Sequence, residues 1–190
     1  IIESHISSAS KGAFIEIAFF GGSFTGIEKS EQIHFMEIAN RYIESGKVRE
    51  IRLSTRPDYI NEDILQYLKY YNVRTIELGV QSLDPAVLSK TCRGHTVDDV
   101  ITSSKLIKEF DFRLGIQTMI GLPDDSREKA LYTANKVVEL EPELVRIYPT
   151  LVVKGTYLER MYFEGSYNPL QLEEAVDIAA ELIDIYEKES

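Results

Sequence analysis

The sequence predicts an α/β protein with one parallel sheet, because apolar strand-like segments alternate with amphipathic helical segments along 190 residues. The expected strands begin about 25 to 40 residues apart, a spacing typical of strand–helix–strand units with right-handed crossovers. No linker or low-complexity segment interrupts the alternation, so residues 1–190 are expected to form a single domain. A (β/α) barrel, complete or partial, fits this pattern better than a sandwich, and a flavodoxin-like open sheet is the structural alternative.

Each expected strand is followed by a segment with helical spacing of its apolar residues. Thr96 and Asp99 have the spacing of an N-terminal capping arrangement for the helix that begins near Val97. In the last helix, one apolar stripe is expected to comprise Leu172, Val176, Ala179, Ile183 and Tyr186. The expected strands are residues 14–20, 49–53, 75–80, 112–118 and 144–148, and the helices begin near residues 30, 62, 85, 97 and 126, with two more closing the chain.

Charge and cysteine content restrict the classes of function. Thirty-one acidic against 21 basic residues give a net charge of −10, which argues against a broad nucleic-acid-binding face. The single cysteine, Cys92, excludes an internal disulfide and predicts a reducing, cytoplasmic location. No apolar run is long enough to span a bilayer, and residues 1–12 do not have the apolar core of a signal peptide. Because the chain begins with Ile1 instead of methionine, we expect an upstream segment to be absent from it.

Glycine and polar residues follow the ends of the strands, where ligands bind in parallel α/β folds. Gly21 and Gly22 come directly after the first strand and would let backbone groups approach a ligand closely. The alternative is a tight strand-to-helix turn with no ligand. Ser23 excludes the glycine pattern of a dinucleotide-binding loop, and no phosphate-binding loop is present.

Several common catalytic arrangements are not found in the sequence. The three histidines come without a nucleophile elbow, and no paired Cys/His spacing indicates zinc. Glu16, Glu77 and Asp111 lie in or near strands, but nothing in the sequence pairs them for acid–base chemistry. His95 is a weak ligand candidate, because a lone histidine is more often structural.

Six short stretches occur in a fixed order at or near the strand ends. They are residues 19–25 (FFGGSFT), 54–58 (STRPD), 77–82 (ELGVQS), 93–96 (RGHT), 121–123 (GLP) and 147–151 (IYPTL). In this order they resemble the radical S-adenosylmethionine (SAM) superfamily, most closely the radical-SAM domain of the Elongator catalytic subunit and its bacterial relatives. Coproporphyrinogen oxidase-like enzymes resemble the chain more distantly. The resemblance covers roughly residues 14–187 and implies a partial (β/α) barrel of the radical SAM type with parallel strands.

The resemblance implies that SAM binds at the first strand end and at the RGHT stretch. Gly21, Gly22 and Ser23 would hold the amino end of SAM, in part through backbone groups. Arg93 would pair with its carboxylate, a contact that suits a guanidinium. Ser54 stands where relatives often carry an acid that binds the ribose, and its hydroxyl would be a weaker partner.

The remaining implied SAM contacts lie on the third and fourth strands. Gln81 and Ser82 would line the cofactor cleft. Gln117 stands where relatives often carry a polar cofactor contact, and Met119 and Gly121 would flank the adenine.

The family binds a [4Fe–4S] cluster through three cysteines, spaced C-x3-C-x2-C or nearly so, upstream of the Gly-Gly strand. Cys92 lies well downstream and cannot replace them, because iron–sulfur clusters need several thiolates. The chain is therefore expected to be a core-domain fragment without its cluster-binding segment, and inactive in this form. When intact, such an enzyme, an oxidoreductase or a transferase, cleaves SAM reductively to a 5′-deoxyadenosyl radical.

The resemblance points to wobble-uridine modification in transfer RNA as the function of the intact protein. The alternatives are a radical SAM oxidoreductase that acts on a small-molecule or porphyrin-like substrate, and a non-catalytic barrel that binds a nucleotide-like metabolite. An ordinary barrel aldolase or isomerase is disfavoured, since no strand-end lysine or acid–base pair is evident. The expected partners are SAM and a substrate, with no membrane.

Overall fold

The computed structural model describes residues 2–10 and 12–188, and within them it contains one parallel sheet of five strands. Strands that are neighbours in the sheet are also neighbours in the sequence, and the sheet curls into a half-barrel. This order confirms the partial (β/α) barrel and excludes the flavodoxin-like alternative, in which the first strand lies inside the sheet. The strands are β1 (Glu16–Phe19), β2 (Glu50–Thr55), β3 (Val73–Gln81), β4 (Arg113–Ile120) and β5 (Leu144–Pro149).

Most of the described helices begin at polar side-chain caps that the sequence supplies. At the start of the helix Val97–Glu109, Asp99 N–H donates to Thr96 Oγ1 and Thr96 N–H donates to Asp99 Oδ2, which confirms the expected capping arrangement. No helix in the described part of the chain is long and apolar enough to cross a membrane. The helices are α1 (Ile2–Ser8), α2 (Lys29–Glu44), α3 (Glu62–Tyr70), α4 (Pro85–Lys90), α5 (Val97–Glu109), α6 (Arg127–Val138), α7 (Tyr157–Phe163) and α8 (Leu172–Lys188).

The two faces of the sheet differ in polarity, because alternate residues of a strand point to opposite faces. The outer face packs against the helices and forms the main core. The inner face of the half-barrel is largely polar, so it can line a site. The outer-face residues include Ile17, Ile51, Leu53, Ile76, Leu78, Leu114 and Ile116, and the inner-face residues include Glu16, Arg52, Ser54, Glu77, Gln117 and Arg146.

The packed face of α8 differs from the expected stripe. Ile178 and Leu182 are the buried residues, and they pack against α6 and β4. Leu172, Val176 and Ile183 of the expected stripe are exposed. Ala179 and Tyr186 of that stripe do pack against the core, so the prediction was right for these two residues and wrong for the other three.

Candidate active site

A cavity of about 580 Å³ lies at the carboxyl ends of the strands. The turn after β1, the other four strands and the α4–α5 loop contribute to it, as expected for a ligand site in a parallel α/β fold. A larger, mostly apolar cavity of about 740 Å³ lies between β5 and α8, away from these strand ends. The strand-end cavity is lined by Phe20, Gly21, Gly22, Ser23, Ser54, Thr55, Arg56, Gly79, Gln81, Thr91, Cys92, Arg93, Gln117 and Tyr148.

The turn after β1 forms an open rim of this cavity. A Cβ built on Gly21 or on Gly22 would meet no atom within 4 Å, so both positions face free space. Gly21 has a φ of +106°, a conformation that favours glycine. Ser54 Oγ donates to the Gly22 carbonyl over 3.4 Å, which ties the turn to β2. The rim therefore offers backbone groups to a ligand with no side chain in between.

Arg93 is a half-buried cation without an acidic partner among the described residues. No ion pair in the described part of the chain involves Arg93, and its Nε is buried with no hydrogen-bond partner. The neighbouring Arg56 is neutralised by Asp58, with Nη2 and Oδ2 2.7 Å apart. Burial, and then the charge of Arg56, lower the pKa of Arg93 from its ordinary value. An anionic ligand group in the cavity would supply the missing partner.

His95 holds the loop that carries Arg93. Its ring is buried, and Nε2 lies 3.1 Å from the Val80 carbonyl at the end of β3. Because a carbonyl only accepts, Nε2 carries the proton and donates it. Nδ1 is buried with no partner, and burial lowers the pKa of His95. The histidine is thus a neutral anchor beside the cavity.

Of the two cofactor contacts expected on and after β3, one lines the cavity and the other does not. Gln81 lines the cavity, with its Nε2 over Gly79, where a Cβ would lie 2.8 Å away. Ser82 lies outside the cavity lining: its Oγ is 3.2 Å from Thr133 Oγ1 and accepts from the Asp84 N–H. Ser82 therefore supports the turn after β3 from the helix side.

Met119 and Gly121 also lie outside the cavity lining. Met119 is the Cα partner of Tyr148, which lines the cavity edge. The Gly121 N–H donates to Asp125 Oδ2 over 2.9 Å, and the Gly121 carbonyl accepts from Tyr167 Oη over 2.7 Å. Both backbone groups of Gly121 are thus bonded within the protein.

An ionic cluster lies below the rim, on the inner face, and sequence reasoning missed it. Glu77 is fully buried: its Oε1 is 2.7 Å from Arg52 Nη2, and its Oε2 is 3.0 Å from Arg146 Nε. Gln117 Nε2 also donates to Oε2, over 2.9 Å. Gly115 leaves room for this carboxylate, since a Cβ there would lie 2.6 Å from the Glu77 Cγ. One feature of the sequence could have indicated the cluster. Strands of a parallel sheet are ordinarily continuous apolar runs, whereas polar and apolar residues alternate in these strands.

The residues fit SAM but not an iron–sulfur cluster. The open glycine rim and the unpaired guanidinium of Arg93 suit the backbone contacts and the carboxylate partner that an amino acid moiety requires. Cys92 is an exposed free thiol in the cavity lining, and it is the single cysteine of the chain. Within residues 2–10 and 12–188, no group of three or more histidine, cysteine or acidic residues could hold a metal.

Comparison with known proteins identifies relatives over most of the chain. The tRNA uridine(34) acetyltransferase of Methanocaldococcus jannaschii is 30% identical over 184 residues, covering 86% of this chain and 34% of the relative. Elongator complex protein 3 of Homo sapiens is 28% identical, covering 89% of this chain and 35% of the relative. The chain thus spans about a third of the length of these curated relatives.

Solved structures have the same architecture. The archaeal Methanocaldococcus infernus Elp3 with an N-terminal deletion superposes with a TM-score of 0.85 at 28% identity, covering 95% of this chain and 47% of that one. Coproporphyrinogen III oxidase (HemN) from Escherichia coli gives a TM-score of 0.68 at 20% identity, covering 92% and 40% of the two chains, which is a likeness of fold alone.

Two family models match consecutive parts of the sequence. The model described as the Radical_SAM C-terminal domain matches residues 142–190, which include α7 and α8. The model described as the radical SAM superfamily matches residues 3–137, which include the first four strands and most of the cavity lining. Because this second match covers well over half of the chain, the chain belongs to the radical SAM superfamily.

Proposed function

We propose that this chain is the SAM-binding core of an enzyme whose complete form modifies the wobble uridine of transfer RNA. The observation that carries the SAM part is the half-buried Arg93, whose buried Nε has no hydrogen-bond partner and which lines the same cavity as the open glycine rim. The tRNA part is supported by relatives named tRNA uridine(34) acetyltransferase, whose similarity extends over more than four fifths of this chain.

In this proposal, Arg93 pairs with the SAM carboxylate while Gly21 and Gly22 hold the amino end through backbone groups. Ser54 and Gln81 contribute polar contacts from the neighbouring strand ends. When bound in a complete enzyme of this family, SAM supplies one-electron hydrogen-abstraction chemistry. The chain's own residues orient the cofactor and hold its charged groups out of bulk water.

Ser82, Met119 and Gly121 act as supports in this proposal. The Ser82 hydroxyl and the backbone groups of Gly121 are bonded within the protein, which leaves them to fix the strand-end loops. Met119 lies beside Tyr148 at the cavity edge, where an adenine ring would meet it. These residues set the shape of the site more than they bond to the ligand.

The iron–sulfur cluster requires ligands from outside this chain. One cysteine is too few for a [4Fe–4S] cluster, so no step of the chemistry can be assigned to a cluster held by these residues. We therefore propose that the chain binds SAM but performs turnover only as part of the longer protein.

The net charge of −10 disfavours contacts between this chain and the phosphates of a tRNA, so we expect other parts of the complete protein to make those contacts. This core would then contribute the reacting centre and the groups that meet the base. The free, exposed Cys92 thiol is consistent with our proposal of a cytoplasmic location.

Calorimetric titration of SAM into the complete, cluster-loaded protein tests the proposal. Arg93→Met should weaken SAM binding about tenfold or more, because a charge-assisted pair is lost. Lys90→Met removes an exposed cation three residues away that does not line the cavity, and it should leave the affinity unchanged. Equal affinity in both variants, or absence of deoxyadenosine from the reduced wild-type protein, would contradict the proposal.

A further inference from the structure

The ionic cluster of Glu77 leaves specific hydrogen-bonding atoms unused. Glu77 engages Nε of Arg146 and Nε2 of Gln117. In the described residues, the two Nη atoms of Arg146 and Oε1 of Gln117 have no hydrogen-bond partner. The Arg146 side chain is 38% exposed, so these donors are open to a ligand.

Arg146 and Gln117 are direct Cα partners on adjacent parallel strands, β5 and β4. Their shared bond to Glu77 fixes both side chains on the inner face. The carboxylate also fixes the amide orientation of Gln117, because only Nε2 can donate to it. The result is one acceptor, Gln117 Oε1, beside the guanidinium donors of Arg146.

Phe20 supplies an aromatic surface next to these polar atoms. Its ring is 44% exposed and lines the same cavity as Gln117. The guanidinium carbons of Arg146 and Arg52 lie 4.9 and 5.9 Å from the ring centroid. These cation–π contacts hold the ring in place, and a flat ligand ring can stack on such a surface.

We propose that Phe20, Gln117 and Arg146 form a subsite for a uracil ring. Oε1 of Gln117 accepts the N3–H, Arg146 donates to the O4 carbonyl oxygen, and Phe20 stacks on the ring. Cytosine has an unprotonated N3 and an amino group in place of one carbonyl, so it would face Gln117 Oε1 and the guanidinium with mismatched groups. This inference rests on the proposed function and assigns Gln117 to the substrate instead of to the cofactor.

The test uses the complete, cluster-loaded protein and two anticodon stem-loop RNAs that differ only in uridine or cytidine at the wobble position. Fluorescence anisotropy gives the affinity for each RNA, and calorimetry gives the affinity for SAM. Arg146→Met is compared with Arg113→Met, which removes an arginine from the start of β4, away from the cavity. Arg146→Lys keeps a cation beside Glu77 without the guanidinium donors, and it replaces Arg146→Met if that variant does not fold.

We expect the wild-type protein to prefer the uridine RNA by about tenfold, a ratio that a pair of matched hydrogen bonds can supply. Arg146→Met should lower the ratio, because one of the two discriminating contacts is lost, and should leave the SAM affinity unchanged, whereas Arg113→Met should keep the wild-type ratio. Phe20→Leu should weaken both RNAs about equally, because stacking is tolerant of base identity.

Three results would overturn the inference: a wild-type ratio retained in both Arg146 variants, a parallel loss of SAM affinity in them, or wild-type protein that binds both RNAs equally. In the last case the proposed tRNA substrate would still stand. Wild-type protein that binds SAM but neither RNA would instead refute the tRNA part of the proposed function, and the subsite with it.

Discussion

A Cβ at Gly94 would lie 2.6 Å from Nη2 of Arg56, because that guanidinium packs directly against the loop that carries Arg93. Arg56 cannot swing away freely, since Nε and Nη2 both donate to Asp58. Gly94 also has a φ of +79°. The position of the Arg93 loop therefore depends on the absence of a side chain at Gly94.

Gly94→Ala should destabilise the protein and weaken SAM binding. The left-handed backbone alone costs roughly 1–2 kcal/mol for alanine, and the contact with Arg56 adds to this cost. Gly46→Ala is the matched control, because Gly46 has a φ of +70° and a Cβ there would meet nothing within 4 Å. Urea unfolding should show a larger loss of unfolding free energy for Gly94→Ala than for Gly46→Ala. Equal losses would show that the Arg56 side chain moves aside without an energetic cost.

Gly22→Ala and Gly21→Ala should differ in their effects on stability. The methyl group at Gly22 projects into free space without positive φ, so the unfolding midpoint should remain unchanged while SAM affinity falls. At Gly21, with φ at +106°, alanine should cost about 1–3 kcal/mol of stability. Thermal unfolding and calorimetry on both variants check this, and unchanged SAM affinity in Gly22→Ala would count against the rim as a cofactor contact.

Glu77→Gln should be strongly destabilising, because it removes a buried carboxylate that pairs with two guanidiniums and leaves Arg52 with Glu16 as its remaining acidic partner. Breaking one side of a buried ion pair typically costs about 3–5 kcal/mol. Asp111→Asn, which removes a largely exposed pair with Lys69, is the control and should hardly change the midpoint. A small effect of Glu77→Gln in urea unfolding would mean that Arg52 and Arg146 reach solvent or other acids without it.

Stability should decrease as the pH falls below about 6.5, the ordinary pKa of histidine. Burial lowers the pKa of His95, so between 6.5 and its lower folded value the unfolded chain binds a proton that the folded protein does not. Above this window His95 is neutral in both states and its contribution is constant.

His95→Gln keeps a donor for the Val80 carbonyl but does not titrate. The difference in unfolding free energy between wild type and this variant should change between pH 7 and 5, in the direction that disfavours the wild type at low pH. A flat difference for His95→Gln would show that the buried ring gains a proton without cost.

The architecture could be predicted because hydrophobic periodicity and the residues that cap helices or form turns are local features of the sequence. The fourth strand was expected at residues 112–118 and spans Arg113–Ile120, and the capping residues Thr96 and Asp99 were located to the residue. The spacing of the units favoured a barrel but left a flavodoxin-like sheet as the alternative, and the sequential strand order was established by the structure.

The site could be predicted only in part, because some contacts depend on curvature and register. The sheet register shifts between Gly79 and Gln81, and Gln81 has a φ of +68°, so Gln81 faces the cavity and Ser82 does not. No local sequence pattern indicates this shift in the strand register. Glu77 and Arg146 come from β3 and β5 and meet only because the sheet curls, so neither residue's sequence neighbours indicate the pair.

The contacts that Tyr167 and Leu170 make with Gly121 limit how the segments matched by the two family models can be exchanged between relatives. Tyr167 Oη donates to its carbonyl, and Leu170 packs so closely that a Cβ at Gly121 would lie 2.8 Å from Leu170 Cδ1. The loop after β4 and the segment before α8 are therefore a matched pair across the junction between residues 3–137 and 142–190. A chimera that takes its C-terminal helices from a relative has to retain a phenol and a branched aliphatic side chain at these two places, or the loop beside the cavity loses its backing.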